Sequence, residues 1–263
     1  MTKMELLSQK TYSKQLVFAI MILSAFWSHS QSCVCYQNNF LSDYQEADFI
    51  AHITIINVEP NSVKANEDRV HFNVSQTFKG QGSKPLYIQQ SIGNSIDNSG
   101  CRLFVKPDDE LIIFARLIDG KLITTPCYRN SFLYKNDPKF TNENDNLIGT
   151  LNSLSRYNDR IEASSINCSS LENDTDMIDQ LGTFELKDKE AYFGLYNINF
   201  TEDHSINYVG VVSPFNKEID TKIRIMLIKK KWDTCELNDK TELLVAFFYH
   251  PATPYRKEFL STY

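Results

Sequence analysis

The sequence predicts a mainly β protein: a small closed barrel of five strands, then a helix, then a smaller α+β unit. Three observations carry that prediction. Short apolar-rich runs recur between residues 49 and 127, separated by turn signals. One of them, Arg69-Val70-His71-Phe72-Asn73-Val74-Ser75, alternates apolar and polar residues as a half-buried strand does. Six cysteines follow an export-type leader, and strands tied by disulfides suit a closed barrel, which has no exposed sheet edges.

The leader comes first. Lys3, Lys10 and Lys14 precede an apolar run of 12 residues, 16–27. At about 1.5 Å rise per residue, such a run falls well short of a hydrocarbon core of about 30 Å. Residues 1–32 therefore read as a signal peptide. Ser30 and Ser32 suit cleavage before Cys33, while Ser28 and Ser30 suit cleavage before Gln31. No later apolar segment approaches membrane length, so the expected location is secreted, periplasmic or elsewhere in the cell envelope, without a transmembrane span. A cysteine directly behind a signal core is also where bacterial lipoproteins are acylated, which makes Cys33 a candidate lipid anchor.

The barrel strands are expected at 51–58, 69–75, 86–92, 111–117 and 122–125. Asp119-Gly120 joins the last two as a hairpin, and Lys79-Gly80-Gln81-Gly82 marks another turn. Beyond Cys127, Leu147, Ile148, Leu151, Leu154 and Ile161 form one helical stripe. Residues 163–180 are polar and acidic and read as a linker. In 181–263, strands are expected at 191–200, 206–212 and 242–249. A helix carrying Ile219, Ile223, Met226 and Leu227 ends in the cations of 229–231.

Composition excludes several functions. With 42% hydrophobic and 12% aromatic residues, the chain can bury a core, so wholesale disorder is excluded. A net charge of −6 gives no global footprint for nucleic acid. No His-Glu-x-x-His, Gly-x-Ser-x-Gly, Walker or dinucleotide pattern occurs, and no enzyme activity, cofactor or resident metal is expected. His52 and His71 read as structural strand residues, and Asp108-Asp109-Glu110 as a turn before a strand. Four Asn-x-Ser/Thr sequons begin at Asn73, Asn167, Asn173 and Asn199.

The cysteines stand at 33, 35, 101, 127, 168 and 235, and six cysteines allow 15 pairings. An extended backbone sends Cys33 and Cys35 to opposite faces, so they should reach different partners. If the first four pair among themselves, Cys33–Cys101 with Cys35–Cys127 and the crossed alternative both remain. Cys168 and Cys235 are then left to pair across the linker. A zinc site fits poorly, because a one-residue gap is short for one and the compartment is oxidising.

Residues 33–162 resemble the netrin-like module of tissue inhibitors of metalloproteinases. Cys33-Val34-Cys35 behind the leader carries the resemblance, with Ala47-Asp48-Phe49-Ile50, Val70-His71-Phe72-Asn73-Val74 and Phe78-Lys79-Gly80. Ser99-Gly100-Cys101, Glu110-Leu111-Ile112-Ile113-Phe114-Ala115 and Leu122-Ile123-Thr124-Thr125-Pro126-Cys127 complete it. It implies a five-stranded OB-type barrel with flanking helices, and the bridges Cys33–Cys101 and Cys35–Cys127. It also implies inhibition of a zinc metalloprotease: the amine and carbonyl of Cys33 chelate the protease's zinc, and Val34 enters the specificity pocket. The alternative is a protein-binding or structural envelope module without inhibitory activity. Residues 181–263 resemble the C-terminal domain of TonB-type periplasmic proteins in the order strand, strand, helix, Trp232, strand.

Overall fold

The computed structural model describes residues 35, 39–60, 66–82, 84–90, 102–133, 138–165, 175–184, 193–201, 205–230, 232, 242–250, 252 and 257–261. The fold is mainly β, with an OB-like barrel, flanking helices and a small α+β sheet behind it. Strands β1 (Phe49–Pro60), β2 (Glu67–Lys79), β3 (Leu86–Gln89), β4 (Glu110–Ile118) and β5 (Lys121–Thr124) close in the order β1-β2-β3-β5-β4-β1. All these pairings are antiparallel except β3 with β5. Closure depends on β1 bending far enough to pair with both β2 and β4. Register shifts between Ile50/Ala51, His52/Ile53 and Ile55/Asn57 supply the bend, since an unpaired extra residue kinks a strand and increases its twist.

Turn chemistry fixes two corners. Asp119 (φ 49°) and Gly120 (φ 76°) both occupy the left-handed region, as the expected two-residue hairpin requires, and Ile118 pairs with Lys121 across it. Gly80, at φ 73°, ends β2, where a Cβ would lie 1.9 Å from the Asp48 carbonyl oxygen. Only glycine fits there. The short β6 (Ser131–Phe132) adds to β4 outside the ring.

Inside the barrel lie Phe49, Ala51, Ile53 and Ile55 of β1, Leu86 and Ile88 of β3, and Leu111, Ile113 and Ala115 of β4. The intervening residues of β4, Ile112 and Phe114, point the other way into a second cluster. There they meet Phe40, Leu41 and Tyr44 of α1 (Phe40–Glu46), and Leu151 and Leu154 of α2 (Pro138–Leu154). Ile161 of α3 (Asn158–Ala163) joins them. The helical stripe read from Leu147 to Ile161 is therefore real, but a 3₁₀ turn at Ser155–Tyr157 breaks it into two helices.

The second sheet runs in the order β10-β9-β7-β8, from β7 (Phe193–Phe200), β8 (Ile206–Ser213), β9 (Glu242–His250) and β10 (Phe259–Ser261). One face carries Tyr196, Ile198, Leu243, Val245 and Phe247. It packs on α5 (Lys217–Lys229) through Ile219, Ile223, Met226 and Leu227. Asn216 caps α5, accepting from the Ile219 N–H at 2.9 Å, and the Trp232 indole donates to the Leu227 carbonyl at 3.0 Å. The opposite face, Phe193, Leu195, Leu244, Ala246 and Phe248, belongs to the same cluster as Phe40, Phe114 and Leu151. A strand covered on both faces reads as a continuous apolar run, which explains Leu243-Leu244-Val245-Ala246-Phe247-Phe248.

The two parts read from the sequence as separate domains thus share one buried cluster, and all described residues lie in one unit within 35–93 and 102–263. The described residues of segment 163–180, read as a linker, pack on the second sheet. Ser165 bridges β9 in parallel, donating to the Glu242 carbonyl at 3.1 Å and accepting from the Leu244 N–H at 2.8 Å. Met177 and Leu181 of α4 (Thr175–Leu181) are buried against the second sheet. Helix α1, α4, β6 and β10 carry too few apolar residues to show a period in the sequence. Strand β3 ends at Gln89, and the residues beyond 90 that were read with it lie outside the described residues.

Phe40 sits between the two sheets, with ring centroids 6.1 Å from Phe114 and 4.9 Å from Phe248. Phe40→Ala is expected to cost about 3–5 kcal/mol by opening a cavity in that shared cluster. Urea unfolding followed by far-UV circular dichroism and by Trp232 fluorescence should shift together. A Trp232 transition that keeps its wild-type midpoint would show that the second sheet folds independently of the first.

Candidate functional site

The chemistry expected of this chain rests on Cys33 and Val34, which lie outside the described residues; Cys35, next in the chain, is described. After β5, residues 125–130 turn back toward β6 and carry Cys127. Asn130 organises the turn. Its Oδ1 accepts from the Phe114 N–H at 2.9 Å, and its Nδ2 donates to Thr124 Oγ1 and to the Thr125 carbonyl, both at 2.9 Å. Thr124 Oγ1, fully buried, donates in turn to the Phe114 carbonyl at 2.8 Å. The Cys127 N–H donates to Thr125 Oγ1 at 3.2 Å, and the Tyr128 N–H to the Thr125 carbonyl at 3.1 Å. A half-buried amide with both ends satisfied has one favoured orientation, so the turn is held where the disulfide attaches.

Cys127 is bonded to Cys35, with their Cα atoms 5.1 Å apart. The bridge closes a separation of 92 residues, worth on the order of 4 kcal/mol in the chain-entropy account. Of the six cysteines, these two are described; Cys33, Cys101, Cys168 and Cys235 lie outside the described residues, as does Val34.

Helix α1 locks the chain that follows. Asn39 caps it, accepting from the Ser42 N–H at 2.8 Å. Arg129 Nε donates to Asp43 Oδ2 at 2.7 Å and its guanidinium lies 5.2 Å from the Phe40 ring centroid. Arg116 pairs with Glu46 and covers the Tyr128 ring at 4.9 Å. At the other end of α1, Lys79 Nζ donates to the Tyr44 and Gln45 carbonyls at 2.8 and 2.7 Å, where a helix leaves acceptors unpaired. The Tyr44 hydroxyl donates to Asn158 Oδ1 at 2.5 Å, and burial pushes its pKa up. Burial also pushes the Asp43 carboxyl above its usual range, and the Arg129 guanidinium offsets only part of that rise.

The remaining candidates lie in strands and a turn. His52 Nε2 lies 3.0 Å from Glu110 Oε2, tying β1 to β4, and His71 Nε2 lies 3.2 Å from Glu59 Oε1 on β2 and β1. Asp108 (φ 71°) and Asp109 form the turn into β4, with Asp109 Oδ2 accepting from the Lys106 N–H at 2.9 Å. Among the described residues, no group of three His, Cys, Asp or Glu is placed to hold a metal. None of their helices is long and apolar enough to cross a membrane. Sequence reasoning did not find Asn130, Asp43 or Arg129, because isolated polar residues in turns and short helices have the same pattern whether buried or solvated. No protein-family model and no curated protein matches the chain.

Two outcomes check this reading. Asn130→Ala strands the Phe114 N–H and removes the donor to Thr124 Oγ1, whose own bond to the Phe114 carbonyl remains, and is expected to lower stability by about 1–3 kcal/mol in thermal unfolding. Arg129→Met leaves the half-buried Asp43 carboxylate without its partner, at an expected cost of about 1–2 kcal/mol near pH 7. The Asp43 pKa is higher folded than unfolded, so the folded state binds that proton more tightly. Stability of the Arg129→Met variant should therefore rise, relative to wild type, as pH falls through the Asp43 pKa. An unchanged difference between pH 7 and 4 would refute the burial of that charge.

Proposed function

We propose that this chain is an exported protein that acts by binding other proteins, and that its N-terminal end inhibits a zinc metalloprotease in trans. The observation that supports this reading is the Cys35–Cys127 bridge. It fastens the chain, one residue after Val34 and two after Cys33, to a turn held by Asn130. A short free end held by such an anchor loses little conformational freedom when it enters a cleft.

The chemistry follows from the terminus. The neutral α-amine and the carbonyl oxygen of Cys33 together donate to the protease's zinc and displace the water that would attack a substrate. Val34, small and apolar, occupies the adjoining specificity pocket. Its size suits a pocket that accepts branched aliphatic side chains. An α-amine has a reference pKa near 8 and must lose its proton to ligate, so complex formation releases a proton. The inhibition constant is expected to weaken by about tenfold per pH unit below that value, on top of the protease's own titration.

N-terminal sequencing of the exported protein, followed by assay of that material against a zinc endopeptidase, tests the proposal. The expected result is an unblocked Cys33 and inhibition that a single added N-terminal alanine abolishes, because acylation of the amine removes its lone pair. A mature chain beginning at Gln31, a lipid on Cys33, or inhibition indifferent to the added residue would overturn chelation. The protein-binding envelope module would then stand in its place.

A further inference from the structure

The segment entering β4 has a feature that barrel closure does not require. Residues 102–106 belong to no strand, and their exposure alternates from residue to residue as along an extended chain. Leu103 is buried and Val105 half-buried, both packed into the barrel core, while Arg102, Phe104 and Lys106 face solvent on the opposite side. Phe104 is 71% exposed, more than any other large apolar residue among those described. An aromatic side chain held in water has a cost that folding would ordinarily remove.

The segment is held rather than loose. Gln90 pairs with it as a neighbouring strand would. Its Oε1 accepts from the Leu103 N–H at 3.1 Å and its Nε2 donates to the Leu103 carbonyl at 3.3 Å. Asp68 fixes that amide, accepting from the same Nε2 at 2.7 Å. Downstream, the Lys106 N–H donates to Asp109 Oδ2 at 2.9 Å, and the Asp109 N–H to the Lys106 carbonyl at 3.1 Å. Along an extended chain, successive backbone groups point to opposite sides. Since both Leu103 groups face Gln90, the Phe104 N–H and carbonyl face away from it, and among the described residues neither has a partner. The Arg102 and Lys106 side chains likewise form no ion pair among the described residues, whereas Arg116, Lys121, Arg129 and Arg160 do.

We propose that residues Arg102–Lys106 form a docking edge for an extended acidic segment of a partner protein, which adds to Phe104 as a strand. The backbone groups of Phe104 supply the register. Side chains opposite one another in such a pair lie on one face, so the partner's residue opposite Phe104 is apolar. The residues two positions to either side of it are Asp or Glu, facing Arg102 and Lys106. The matching motif is acid-x-apolar-x-acid. Two cations on one side of this edge, Arg102 and Lys106, favour acidic side chains in the strand that adds to it.

Titration of the ¹⁵N-labelled chain with the peptide Ser-Glu-Thr-Val-Thr-Glu-Ser, followed by amide shifts, tests this edge. The expected result is a saturable shift centred on Arg102, Phe104 and Lys106 that weakens as salt rises. Arg102→Glu with Lys106→Glu should weaken binding by about tenfold or more and favour the peptide with Lys at both Glu positions. Phe104→Ala should weaken both, while its thermal midpoint stays at the wild-type value because the ring is exposed. Equal binding of the Glu and Lys peptides, or shifts centred elsewhere, would overturn the proposal. So would Phe104-dependent binding of oligothymidine, or of a second copy of this chain, in preference to the peptide. The experiment is independent of Cys33: a chain carrying an extra N-terminal alanine should bind the peptide unchanged.

Discussion

The two faces of β4 set the rest of the structure. Leu111, Ile113 and Ala115 fill the barrel, while Ile112 and Phe114, between them, fill the cluster shared with α1, α2 and the second sheet. A strand with solvent on one side would alternate; this one cannot, because each face closes a different core. The same strand pairs with β1, β5 and β6, so barrel closure and attachment of the second sheet depend on one nine-residue element. A change of register there by one residue would exchange the two cores at once.

Polar groups then fix what apolar packing leaves free. Packing alone is tolerant of small slides, but Asn130, Thr124 and the Phe114 backbone have a single arrangement in which each is satisfied. That arrangement lies where the covalent bridge to Cys35 begins. Arg129 and Arg116 extend the constraint to α1, each with an acidic partner on the helix and an aromatic ring beneath the guanidinium. A hydrogen-bonded polar turn, a disulfide and a capped helix meet at Cys35 and Phe40–Glu46.

The barrel presents chemistry at two places of different kind. The N-terminal end acts, on the reading proposed here, through a backbone amine and a carbonyl, groups present in every chain and made useful only by where cleavage leaves them. The 102–106 edge would act through the Phe104 backbone and through side chains whose alternation is set by the core residues between them.

Much of the fold was legible before any coordinates. The barrel strands appear close to their expected positions because their apolar period is local, and Asp119-Gly120 makes its hairpin because few other residue pairs adopt two left-handed conformations in succession. The helical stripe at Leu147–Ile161 and the strand at 242–249 were legible for the same reason, and so was the turn at Asp108. What the sequence could not show is what each apolar run packs against. The run Leu243–Phe248 has the same composition whether its second face meets solvent, another chain or the barrel, and only the tertiary structure places Leu244, Ala246 and Phe248 against Phe40. Asn130, Asp43 and Gln90 were invisible for a related reason. A polar residue has no period, and its role is set by partners 5 to 86 positions away along the chain. Local pattern determined which elements form; long-range burial decided which of their polar residues became structural.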